Sequence, residues 1–176
     1  MKKSTLFLIL LSLATLGSCK KKNIFFGINL NSEVVVSSTF SQLVPFSVTT
    51  PEITSNSEAE FEINNTKKDY VKSIYLDKLN LIITSPSNQT FSFLNSVEIF
   101  ISASGLEEKK VAFKQNIPNS TGTQLSLDLV KVDLQEYIKK DKFSIRSVFV
   151  TDETITQDVT ISIEQDYLVS AKLSKK

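Results

Sequence analysis

The chain of 176 residues has no histidine and no tryptophan, and it has one cysteine, one methionine, four glycines and four prolines. Each shortage removes a class of chemistry. Without histidine there is no Ser-His-Asp triad, no Cys-His pair, no imidazole general base and no zinc site built on imidazole. One cysteine cannot close an internal disulfide even where the compartment would permit it, so stability has to come from packing. The only arginine is Arg146, and 20 Lys+Arg face 19 Asp+Glu. Readers of bases and phosphates lean on several arginines and a basic surplus, so nucleic acid is not an expected partner. Beyond residue 19 there is no S-x-x-K, G-x-S-x-G, G-x-x-x-x-G-K or D-x-D-x-D-G pattern, and Gly27, Gly105 and Gly122 are too scattered to cradle a phosphate. Carboxylate pairs, Ser-Lys arrangements and oxygen-ligated metals stay open to such a chain, but no motif argues for an enzyme, and no enzyme activity, cofactor or metal is expected.

What is present begins with Lys2 and Lys3, continues with the apolar run Leu6 to Leu16 (LFLILLSLATL) and ends in Leu16-Gly17-Ser18-Cys19. That order of charge, apolar segment and small residues is the layout of a secretory signal. As a helix the apolar run spans only about 16 Å against roughly 30 Å of hydrocarbon, too short for a stable membrane span. The tetrapeptide LGSC resembles the lipobox of bacterial lipoproteins. The resemblance implies cleavage after Ser18 and a diacylglyceryl group on the sulfur of Cys19, the covalent lipid being the one non-protein group expected. Two or three acyl chains hold a protein on a membrane far longer than one. Cleavage would also remove Lys2 and Lys3, leaving a slightly acidic chain. The expected divisions are a signal peptide at 1–18, a lipidated tether at 19–32 and a single domain at 33–176, long enough to bury about two thirds of its unfolded surface.

From Glu33 the sequence alternates apolar and polar residues in short runs broken by Asn, Ser, Pro and Gly, the pattern of antiparallel strands with one wet face. The candidate strands are 33–40, 43–49, 58–63, 73–84, 89–94, 96–103, 109–115, 124–130, 142–150, 155–163 and 166–173, one or two more than the fold needs. Val97, Ile99 and Ile101 share a face, as do Leu125, Leu127 and Leu129, then Ile155, Val159, Ile161 and Ile163, then Tyr167, Val169 and Leu173. Phe91, Phe93, Phe100, Phe113, Phe143 and Phe149 are also assigned to the core. Pro45 points to an edge strand or a bulge, and Pro86, Gly105 and Gly122 mark turns. Asp133 followed by Glu136 reads as a capping box opening one or two helical turns, and 65–72 reads as a loop or single turn pinned by Tyr70 and Val71. The expected fold class is all-β, a single antiparallel β-sandwich, Ig-like or jelly-roll-like, with one or two short helical turns.

The stretches NNTKKDYVKSIYLDKLNLIITSPSNQTFSFLNSVEIFISASGLEEKKVAFKQNIP and DLQEYIKKDKFSIRSVFVTDETITQDVTISIEQDYLVSA resemble a group of small lipoproteins from Bacteroidota, over roughly residues 33–173. The resemblance implies an address in the cell envelope and a fold class, but no mechanism. Surface-directed lipoproteins of that lineage often carry acidic residues after the cysteine. Here Lys20, Lys21 and Lys22 stand instead, which favours the periplasmic side of the outer membrane. Three lysines beside a lipid could rest against anionic headgroups, but a solvated spacer is the preferred reading, and Phe25 and Phe26 are read as opening the first strand in preference to dipping into the interface.

Candidate sites are sparse. Asp152, Glu153 and Asp158 surround a turn between two strands, where a sandwich presents binding loops; the competing reading is a hairpin kept soluble by charge. The polar loops 85–90 and 116–124 could contact a glycan or a protein in the same way. Glu58, Glu60 and Glu62 would line one face of a strand, as a calcium or acid-pair site or, more commonly, as the wet side of an edge. Arg146 could be structural or could bind a carboxylate. The leading expectation is a lipid-anchored, non-catalytic protein that binds or scaffolds an envelope partner. The alternatives are a small-molecule or glycan receptor and a hydrolase built on two carboxylates.

Overall fold

Fourteen-residue strands at the start and end of the domain pair with each other along their whole length. In the computed structural model, which describes residues 22–174, β1 (Asn23–Val36) runs antiparallel to β10 (Val159–Lys172) from Asn23 opposite Lys172 to Val36 opposite Val159. Ser18 and Cys19 lie outside the described residues. Between these strands come β2 (Phe46–Thr49), β3 (Ile53–Thr54), helix α1 (Ser57–Ile63), β4 (Val71–Ser85), β5 (Leu94–Ser102), β6 (Lys109–Lys114), β7 (Gln124–Ser126), β8 (Asp128–Leu129), helix α2 (Gln135–Ile138) and β9 (Lys142–Thr151). Single 3-10 turns occupy Lys68–Tyr70 and Phe91–Phe93.

The described strands form two antiparallel sheets, one in the order β1-β10-β4-β7 and the other β2-β9-β5-β6-β8, with β3 also on β9. They face each other as a β-sandwich, and alternate residues supply the core. Ile161, Ile163 and Val169 of β10 meet Val97, Ile99 and Ile101 of β5, all fully buried, with Ile145 and Phe149 of β9. The register brings loops 37–45, 86–93, 115–123 and 152–158 to one end. Residues 55–70, 103–108 and 130–141, with the start of β1 and the end of β10, lie at the other.

Several boundaries differ from the sequence reading. The stretch read as tether, 19–32, is already sheet from Asn23, because Ile24, Phe26, Ile28 and Leu30 alternate inward against β10. Residues 58–63 are helix: Ala and Glu favour helix over strand, and Ser57 and Phe61, one turn apart, both face inward while Ile63 is 73% exposed. Runs 155–163 and 166–173 merge into β10, with Ile155 buried in the preceding loop. Run 124–130 divides between the two sheets, so Leu125 and Leu127 are buried but Leu129 is exposed. Phe91 and Phe93 are buried on a 3-10 turn within the run read as strand 89–94.

Phe100 and Phe113 lie on the outer face and are only partly covered. Phe100 alternates with Ile99 and Ile101 and so cannot share their side. Leu173 lies beyond β10 and is half-buried. The turn before α2 is capped by Asp133 through Oδ1, which accepts from Gln135 N and Ile74 N at 3.0 Å each, and Gln135 Nε2 returns to Asp133 Oδ2. The side-chain partner is thus Gln135 in place of the expected Glu136. Pro45 directly precedes β2, an edge strand, as its missing donor requires.

Candidate functional site

The two flanks of the sandwich are built differently. On one flank the chain steps from β7 to β8 through the single residue Leu127, which is buried and donates its N–H to Leu79 O at 3.0 Å. That crossing joins the sheets. On the other flank the edge strands β1 and β2 are not paired with each other, and a groove of ≈ 800 Å³ opens between Asn29–Val35 and residues 48–54 with Asn56. Val34 and Ile53 are buried in its floor and Leu30 and Val48 half-buried, while Asn31, Glu33, Thr49 and Glu52 are exposed along it.

Behind the floor the core is polar at one place. Gln165 Nε2 donates to Ser32 Oγ at 3.3 Å, and Tyr167 OH donates to Gln165 Oε1 at 2.7 Å. Gln165 and Tyr167 are buried on the inner face of β10, and burial pushes the Tyr167 phenol far above its ordinary range. A polar chain inside a sandwich is tolerated when its members satisfy one another. Here it underlies the groove, where the inner face of β1 changes from Leu30 to Ser32.

The predicted loop residues Asp152, Glu153 and Asp158 do share one end of the molecule, but their hydrogen bonds are to neighbouring loops. Asp158 Oδ1 accepts from Ser38 N at 2.9 Å and Ser38 Oγ at 3.1 Å, and these bonds hold its carboxyl below the ordinary range. Glu153 Oε1 accepts from Asn119 Nδ2 at 3.2 Å. Asp152 donates its backbone N–H to Phe93 O at 3.0 Å, and its Oδ1 is buried without a partner among the described residues. These groups tie loops 37–45, 115–123 and 152–158 together. The sequence reading missed the apolar tip beside them: Leu43 is 71% exposed, and Phe40, stacked on Phe46 at 3.9 Å, and Val44 are exposed too. The run Leu43-Val44-Pro45 carried the signal but was read as strand.

Arg146 binds a carboxylate within its own chain. Its guanidinium makes a two-pronged contact with Glu108, Nε to Oε1 at 2.8 Å, and lies 4.4 Å over the Phe100 ring. The bond to Arg146 holds the Glu108 carboxyl below its ordinary range. On α1, Glu58 and Glu62 are one turn apart and line the same shallow depression with Lys67, Lys68 and Asp69, Glu58 lying 3.9 Å from Lys68 Nζ, while Glu60 falls on another face. Among the described residues no group of three His, Cys, Asp or Glu is placed to hold a metal ion.

No protein-family model matches the chain, and no curated protein matches it. Among solved structures it is similar to one described as the empty head of turnip yellow mosaic virus at 100 K, at 13% identity over 88% of this chain and 84% of that one, with a TM-score of 0.32. No helix among the described residues is long and apolar enough to cross a membrane.

Proposed function

We propose that this chain is a lipid-anchored, non-catalytic protein of the cell envelope, held through Cys19 on the periplasmic side of the outer membrane. In this reading the groove between β1 and β2 receives an extended segment of an envelope partner. The observation that carries it is the outer edge of β1, which no strand among the described residues pairs with. The β1-β10 ladder runs for fourteen residues without a register shift, whereas β10-β4 has three. Natural edge strands are usually short, bulged, charged or interrupted by proline, because an open edge recruits other strands. β1 has none of these protections beyond Glu33. An added strand would find backbone partners along β1 and side-chain room in the groove, which is strand addition at a sheet edge.

A photo-crosslinking residue placed at Asn31 or Thr49 of the tethered protein in living cells tests this. The expected result is one partner, captured through one extended segment, and no such capture from the same residue at Lys78 on the outer face of β4. Identical product patterns from all three positions would refute the groove as the site.

A second reading is favoured by the volume of the groove, which falls in the range of about 300–1,000 Å³ typical of small-ligand sites. A receptor for a small molecule or glycan would bind there with Thr49→Trp abolishing uptake, and native mass spectrometry of the envelope-purified protein separates the two. A hydrolase using two carboxylates in this groove would draw on Glu33 and Glu52, which both line it. The Glu52 side chain is 64% exposed and already paired with Lys142 at 3.1 Å, an arrangement that favours binding over acid catalysis.

A further inference from the structure

We infer that the end of the sandwich around Asn23 is itself a docking face for an anionic phospholipid surface; this rests on the lipid-anchored reading for its setting. Four Cα steps separate Cys19 from Asn23, a reach of at most about 14 Å. The anchor therefore brings this end of the domain against the headgroups.

The chemistry of that end fits. Lys22, Lys67, Lys68 and Lys72 are exposed there, with Lys172 half-buried beside them. They are gathered by contacts between β1, β4, β10 and the α1 loop. Lys72 Nζ donates to Asn23 Oδ1 at 2.7 Å, Thr66 Oγ1 donates to Lys172 O at 2.6 Å, and Ser174 N donates to Asn65 O at 2.7 Å. Glu58, Glu60, Glu62 and Asp69 are interspersed, one fewer than the five lysines, and Lys68 Nζ lies 3.9 Å from Glu58. On the other sheet's side of the same end, Lys131, Lys139, Lys140 and Lys142 are balanced by Glu52, Asp133, Glu136 and Asp141, so the small lysine surplus lies beside the anchor, where Lys20 and Lys21 precede Lys22 in the sequence.

Two large apolar side chains protrude in the same region. Phe25 is 67% exposed two residues into β1, and Ile63 projects from the last turn of α1, whose Phe61 packs edge-on against Phe26 at 6.3 Å. The opposite end has the reverse character. Loops 37–45, 86–93, 115–123 and 152–158 contain no lysine or arginine and carry Asp152, Glu153 and Asp158. A domain with exposed lysines and apolar side chains beside the anchor, and with only acidic charge in the loops at the far end, is oriented by a negatively charged membrane. It would stand on that membrane with the groove on its flank and the Leu43 tip outward.

The probe is the mature chain from residue 19 with Cys19→Ser, which carries no acyl chain and retains every described strand and the whole core. It is sedimented with phosphatidylcholine vesicles with or without phosphatidylglycerol. Binding is expected on the anionic vesicles alone, released by salt, and weakened about fivefold for each lysine removed. K67E/K68E/K72E is expected to lose it and F25S/I63S to weaken it, while Glu153→Lys at the far end leaves it unchanged. Should a variant fail to melt cooperatively, the salt titration of the otherwise unaltered chain decides. No sedimentation with either vesicle, equal sedimentation with both, insensitivity to salt, or full binding by a folded K67E/K68E/K72E would overturn the proposal. Failure of the anchor reads out separately, as an unmodified Cys19 in the mass of the cell-derived protein.

Discussion

Ser147 is fully buried on β9, and its hydroxyl has no hydrogen-bond partner among the described residues. An unpaired buried hydroxyl is a cost to the fold, so Ser147→Ala should leave stability unchanged or raise it by up to about 1 kcal/mol in a denaturant titration. A loss above that would mean the hydroxyl has a partner, such as a trapped water. The Arg146-Glu108 pair makes the opposite prediction. It is partly shielded and stacked on Phe100, so Arg146→Ala should cost on the order of 1 kcal/mol through lost pairing and lost cover of the ring. The Glu108 carboxyl is depressed in the folded state, so its contribution is complete above the ordinary carboxylate range and fades as pH falls through the lower folded value. Glu108→Gln should accordingly flatten the acid limb of a melting-temperature profile; a limb as steep as in the unaltered protein would remove this pair from the account.

At the scale of elements, the helix at Ser57–Ile63 is the sharpest departure from what alternation suggested. E-A-E-F-E-I satisfies a period of two and a period of near four over so few residues, and only the partners decide: Phe61 packs against Phe26, and no strand edge accepts this segment. Ala59, exposed on α1, discriminates the two conformations. In a helix Ala59→Gly costs about 1 kcal/mol and Ala59→Val about half that, whereas in a strand valine would stabilise. A gain in melting temperature for Ala59→Val would contradict the helix. The two-sheet architecture, the core of β5, β9 and β10 and the edge position of β2 were legible, because alternation over long strands and a proline at an edge are local signals. Of β1 only the start was legible, in Phe25 and Phe26; its full length was not, since Asn29 and Asn31 face water and the segment reads as a polar spacer until β10 is placed beside it. Nor was the groove, which exists only where strands distant in sequence fail to pair.

The molecule as a whole has one flank closed by a chain crossing at Leu127 and one flank open between β1 and β2, with mixed charge at the end where β1 begins and only acidic charge in the loops of the other. If the open flank is where a partner strand adds, Asn31→Pro, which stiffens the edge, should lower partner capture in cells while shifting the melting temperature by only a few degrees. Undiminished capture would move the site elsewhere, the Leu43 tip being the next surface to probe. In the proposed reading all of these roles depend on where the domain is held, which is assigned to a lipid on Cys19. The most direct measurement is the intact mass of the mature protein extracted from its own cells. The account predicts a chain beginning at Cys19 and heavier than its sequence by a diacylglyceryl group, with or without a further acyl chain. A chain that retains residues 1–18, or that begins at Cys19 with a free thiol, would contradict it.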